Sequence, residues 1–165
     1  MKKLTTAMVL VPIFFISFLF VITATNVPVF AGGKTVPQII GEAKSQITEV
    51  TVGVIKNDID VGKNFVLLDV RTSDEFNAGH LPKAINIPRG TLEFLIGKFY
   101  PTKETEIVLY CRTDARAALC TNTLKEMGYD NVKNLKGGFK AWGEAGYSIY
   151  NRHGEFKMVA FEKKE

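Results

Sequence analysis

A chain of 165 residues, 46% hydrophobic and 23% charged, has the size and composition of one folded domain and not of a disordered tail. Its formal net charge of +4 falls to +2, 19 basic against 17 acidic residues, once residues 1–31 with Lys2 and Lys3 are set aside. No basic run carries interleaved aromatics, which argues against nucleic acid as a partner. Neither histidine, His80 or His153, sits with Cys, Asp or Glu at metal-ligand spacing, so no metal or other cofactor is expected.

Residues 1–31 read as a secretory signal. Lys2 and Lys3 form a basic start, and residues 8–22 are apolar apart from Ser17 and the helix-breaking Pro12. Asn26 and Pro28 break the run, and Val29, Phe30 and Ala31 place a small residue where a signal peptidase would cut. This predicts an exported protein, periplasmic or otherwise extracytoplasmic. The alternative is an uncleaved inner-membrane anchor, because residues 4–22 are just long enough to span a bilayer. A membrane partner enters only in that second case.

Residues 32–47 form an N-terminal extension in which Ile39, Ile40, Ala43 and Ile47 recur at helical spacing. The main domain is expected over residues 48–150. It starts with a short β-branched strand at 48–52, then a helix at 52–60. The apolar run 65–70 reads as a central parallel strand. Thr72 or Ser73 caps a short helix with Glu75 in its first turn. A brief strand follows at 84–87, then a helix carrying Leu92, Phe94, Leu95, Ile96 and Phe99, ended by Pro101. Residues 107–110 form a buried strand and 115–127 a helix ended by Gly128. The last elements are a strand at 132–135 and a helix at 139–144 stopped by Gly146. Residues 151–165 form a tail or an edge strand. Strands alternating with helices predict an α/β domain of three layers, a mostly parallel five-stranded sheet with helices on both faces.

The stretch Tyr110-Cys111-Arg112-Thr113-Asp114-Ala115-Arg116-Ala117 carries the chemistry. A cysteine at a strand-to-helix turn sits where successive backbone N–H groups and the positive end of a helix converge. Such surroundings lower a thiol pKa and favour the thiolate. Arg112 and Arg116 add two positive charges, so the segment reads as a nucleophilic cysteine in an anion-binding cradle. The competing reading of Cys111 is a buried structural thiol.

Cys111, four residues and Arg116 resemble the active-site loop of the rhodanese family of sulfurtransferases. Two further stretches resemble its other signatures. One is Leu68-Asp69-Val70-Arg71 with Glu75-Phe76 and Gly79-His80-Leu81-Pro82; the other is Leu135-Lys136-Gly137-Gly138-Phe139-Lys140-Ala141-Trp142. The resemblance spans about residues 46–150. It implies double displacement through a Cys111 persulfide, with a small donor such as thiosulfate or a polysulfide and a thiol, cyanide or protein acceptor. Loop amides from Arg112 to Ala117 would hold the persulfide charge. Cysteine phosphatases on this architecture use a loop one residue longer, so the shorter loop favours sulfur over phosphate.

Within that resemblance, Arg116 closes the loop and Arg112 faces the donor. Asp69, Arg71 and Glu75 match charged positions that brace the loop and are read as structural support. Arg89 is a weaker candidate for the pocket wall, and His80 belongs to a chain-turning motif. Asp114 departs from the family pattern, which commonly has glycine there. Aspartate tolerates a positive φ, so the loop keeps its shape. Its carboxylate is expected either to repel anionic donors or to pair with Arg112. Cys120 reads as a buried small hydrophobe; the alternative is a resolving partner for Cys111, which would make the chain a redox-sensing or protein-binding module of low activity.

Overall fold

The structure is a computed structural model that describes residues 32–159; the leader or anchor expected over residues 1–31 lies outside them. Helix α1 (Val36–Gln46) precedes strand β1 (Thr48–Val50), helix α2 (Val52–Asp60) and strand β2 (Val66–Asp69). Then come α3 (Ser73–Ala78), β3 (Ile85–Asn86), a 3-10 turn at Arg89–Thr91 and α4 (Leu92–Phe99). The chain continues with β4 (Ile107–Tyr110), α5 (Ala115–Glu126), β5 (Val132–Leu135) and α6 (Gly138–Glu144), and closes with β6 (Ile149–Asn151) and β7 (Gly154–Phe156). Among the described residues no helix is long and apolar enough to cross a membrane.

Five strands form one parallel sheet in the order β1-β5-β4-β2-β3. This is the architecture the alternating elements predict. The pleat sends successive residues of each strand to opposite faces. Leu68, Val70, Ile107, Leu109, Cys111 and Val132 pack on one side with Leu92 and Ile96 of α4 and Ala117, Cys120 and Leu124 of α5. Leu67, Val108, Tyr110 and Leu135 pack on the other with Ile55 of α2, Trp142 of α6 and Ile149. Both faces are covered, which is why β2 and β4 are nearly continuous apolar runs.

The chain leaves β2 towards β3 and leaves β4 towards β5, in opposite directions. The switch point therefore lies between β2 and β4, at the centre of the sheet, and a ligand cleft is expected beyond their carboxyl ends.

Residues 151–165 do not add an edge to this sheet as far as they are described. Gly154–Phe156 pairs antiparallel with Ile149–Asn151 in a separate two-stranded ladder, so the expected boundary at 150/151 falls inside β6. The turn is local: Asn151 Oδ1 accepts from the His153 N–H at 2.8 Å, and Gly154 takes φ +121°. A lone two-stranded ladder is marginal. This one is anchored by paired His80–Tyr150 backbone bonds of 2.8 and 2.9 Å and by Phe156 and Ile149 against Gly79.

Candidate active site at the end of the central strand

Cys111 is the first residue after β4, and α5 starts four residues later. Between them Asp114 takes φ +81° and ψ −26°, the left-handed turn that swings the chain into the helix. A short polar side chain lowers the penalty of that conformation. The Asp114 carbonyl accepts the first helical bond, from the Ala118 N–H at 2.8 Å. Among the described residues, no hydrogen-bond acceptor meets the backbone N–H groups of Arg112, Thr113, Asp114, Ala115, Arg116 or Ala117. These six donors of the turn have no partner among the described residues, and the turn sits at the positive end of a 12-residue helix.

The turn between β5 and α6 holds the loop from outside. The Phe139 N–H donates to the Cys111 carbonyl at 2.8 Å and the Lys140 N–H to the Arg112 carbonyl at 2.9 Å. Gly137 and Gly138, at φ +73° and +56°, let the backbones approach this closely. A Cβ on Gly138 would collide with the Cys111 carbonyl oxygen. The paired glycines before a helix are the only sequence sign of this contact.

Glu75 and Arg116 meet directly. Arg116 Nη1 and Nη2 donate to the two Glu75 carboxylate oxygens at 2.8 and 2.7 Å. Glu75 also closes the capping box of α3 by accepting from the Thr72 N–H at 3.1 Å. The hydrogen bonds from Arg116 bring the Glu75 carboxyl down to about 2, with Thr72 helping and partial burial opposing. Glu75 raises the already basic Arg116, and the Cys111 sulfur adds to that effect. A depressed carboxyl stabilises the fold above its unfolded pKa near 4.5 and loses that contribution as pH falls towards 2. Glu75→Gln is expected to flatten the acid limb of the stability curve in that window. The side chains are about a third exposed, so the loss is at most about 1 kcal/mol. Urea midpoints of both proteins between pH 5 and pH 2 check this; parallel curves would dismiss the pair as a brace.

Asp69 and Arg71 form a second, buried pair. Asp69 is 0% and Arg71 4% exposed. Asp69 accepts from the Arg71 N–H, Nε and Nη2 at 2.6–3.0 Å, and Arg71 Nη2 also donates to the Gly79 carbonyl at 2.7 Å. The guanidinium lies over the Phe139 ring, 4.2 Å from its centroid. Burial pulls Arg71 down, but hydrogen bonding to Asp69 and that charge win and leave it raised. This pair does not touch the Cys111 loop; it reaches it through Phe139 of α6.

Asp114 does not pair with Arg112. Its Oδ1 meets Lys44 Nζ of α1 at 2.7 Å and its Oδ2 accepts from the Gly137 N–H at 2.9 Å. The carboxylate is thus turned onto α1 and the β5–α6 turn, and the residue is only 8% exposed. The expected repulsion of anionic donors loses its geometric basis. Lys44 itself is pulled down by partial burial, but hydrogen bonding and charge from Asp114, then Glu49 and Cys111, leave it raised. No sequence signal links Lys44 to the loop.

A cavity of about 370 Å³ opens beside the loop, lined by Arg71, Glu75, Ala78, Gly79, Arg112, Phe139, Phe156 and Met158. Arg112 is exposed there, as is Thr113 on the loop. Arg89 is not among the lining residues; its N–H bonds the Val70 carbonyl at 3.1 Å in the 3-10 turn. Cys111 is 1% exposed and does not line the cavity. His80 packs flat on Phe76, and its Nδ1 lies 3.0 Å from the Phe76 carbonyl, a turn-forming contact. Cys120 is a free, buried thiol in the α5 core, and burial pushes it up to about 12. Both cysteines are free, so no disulfide joins Cys111 to Cys120.

The rhodanese-like domain family matches residues 51–145, more than half of the chain. The chain belongs to the rhodanese-like domain family. It is 32% identical over 87 residues to an Allochromatium vinosum sulfurtransferase, covering 53% of this chain and 79% of the relative. The human single-domain sulfurtransferase TSTD1 superposes with a TM-score of 0.53 at 28% identity, over 58% of this chain and 95% of its own. A Rhodopseudomonas palustris protein of unknown function, described as a possible tyrosine phosphatase, superposes with a TM-score of 0.65 at 29% identity, over 70% of this chain and 94% of its own. The chain spans 54% and 60% of the length of two Bacillus subtilis relatives that it also matches.

Proposed function

We propose that this rhodanese-like chain moves sulfane sulfur from thiosulfate or a polysulfide to a thiophilic acceptor through a Cys111 persulfide. The observation that carries the reading is a cysteine at the turn into the N-terminus of α5, where the backbone amides from Arg112 to Ala117 meet no acceptor among the described residues. The Cys111 thiolate attacks the outer sulfur of the donor; for thiosulfate, the sulfur–sulfur bond breaks and sulfite leaves with the electron pair. The persulfide's terminal negative charge then lies against the loop amides. A thiolate or cyanide attacks that outer sulfur and returns Cys111 as the thiolate.

Arg112, exposed at the cavity, draws an anionic donor in, and Arg116, held by Glu75, fixes the start of α5. With the Cys111 sulfur nearly sealed, the loop must shift for attack to occur. Cys120 is a poor resolving thiol, buried and pushed up to about 12, which weighs against a redox-sensing role. The basic start, apolar run and Ala31 of residues 1–31 support placing this chemistry outside the cytoplasm.

Intact-protein mass spectrometry tests the reading. Wild type is expected to gain one sulfur on incubation with thiosulfate or a polysulfide, and Cys111→Ala to gain none. Equal uptake by both proteins would exclude Cys111 as the carrier. Turnover of an aryl phosphate without sulfur uptake would move the chain to phosphoryl chemistry.

A further inference from the structure

Helix α1 lies outside the family-matched region, yet it delivers a charged side chain to the Cys111 loop. Lys44 sits in the last turn of α1, and its ammonium bonds Asp114 Oδ1 at 2.7 Å. The Asp114 side chain is 12% exposed, and its other oxygen has one donor, the Gly137 N–H. Without Lys44, a nearly buried carboxylate would be left with a single neutral hydrogen bond, which is strongly unfavourable. It would turn out to solvent, which weakens the link to Gly137.

Lys44 is itself held in place. Glu49 Oε1 of β1 lies 3.8 Å from Nζ and accepts from Asn134 Nδ2 at 3.0 Å. The end of α1 is pinned to α5 by Lys125 Nζ, which donates to the Gln46 carbonyl at 2.5 Å, while Ala43 is buried. The contact therefore joins a docked helix to the left-handed residue of the loop.

We propose that Lys44 is a positioning residue for the Cys111 loop, latching Asp114 onto the Gly137 N–H so that the extension helix is part of the site. Its consequence for turnover rests on the sulfurtransferase reading; its consequence for loop geometry and thiol reactivity does not.

The test uses the full-length chain with Lys44→Met, Lys44→Arg, Asp114→Asn and the Lys44→Met/Asp114→Asn double variant. Asparagine tolerates the positive φ at 114. Two readouts are taken beside sulfur uptake. One is hydrogen exchange of the Gly137 amide; the other is the rate of Cys111 alkylation by iodoacetamide, located by peptide mass. Lys44→Met is expected to speed Gly137 exchange and change the alkylation rate, each by about three- to tenfold. Lys44→Arg should restore both to within about twofold, and the double variant should recover part of the Lys44→Met change, because asparagine removes the stranded charge and still accepts from the Gly137 N–H. Wild-type values for Lys44→Met, or no rescue by arginine, would overturn the proposal. If these shifts appear while wild type takes up no sulfur, the latch stands and sulfur transfer falls.

Discussion

Gly138→Ala is expected to be among the most damaging single substitutions in this domain, lowering stability by about 3–5 kcal/mol and abolishing Cys111 reactivity. Two effects add. The residue sits at φ +56°, where a Cβ costs about 1–2 kcal/mol. The new Cβ would also collide with the Cys111 carbonyl oxygen and stand 3.0 Å from the Asp114 nitrogen and 3.2 Å from the Arg112 carbonyl carbon. Those are backbone atoms, so relief requires moving the loop off α6 and losing the Phe139 and Lys140 N–H bonds. Gly146→Ala is the control. It also has positive φ, +72°, but nothing lies within 4 Å of its Cβ position. Urea unfolding should place Gly146→Ala near the strain cost alone; equal losses at both sites would show that the close approach is unimportant.

Arg71→Met is expected to cost about 3–5 kcal/mol, because it leaves the fully buried Asp69 carboxylate without its counter-charge. The Gly79 carbonyl loses its donor in the same step. Asp69→Asn in that background should recover part of the loss by removing the stranded charge. Denaturant midpoints of the two single variants and the double variant form the cycle that measures this. A loss below about 1 kcal/mol for Arg71→Met would mean that solvent reaches Asp69 once the arginine is gone.

Much of the fold is legible because its signals are local. The apolar runs before Asp69 and Tyr110 are short and bounded by turn residues, as strands buried on both faces are, and Thr72, Gly128 and Gly146 mark helix ends by capping and left-handed chemistry. The Cys111 turn is legible for the same reason, since strand, turn and helix are contiguous. Strand order is not written locally; it follows from which strands pair across the sheet. The partner of Asp114 is not legible, because Lys44 is 70 positions away in sequence and reaches the loop only after α1 docks on α5. The closing ladder was missed because two three-residue strands carry too little periodicity; only the Asn151-Arg152-His153-Gly154 turn hints at them.

That ladder separates two jobs within one small domain. The sheet and the β5–α6 turn hold the Cys111 loop, and a Cβ on Gly138 there already collides with backbone. One wall of the neighbouring cavity, Phe156 and Met158, is borne by a short ladder and the residues after it, beyond the family-matched region. Substitutions there alter the shape and polarity that an incoming molecule meets while leaving the central sheet intact. Ligand preference on this scaffold is therefore free to diversify faster than its chemistry.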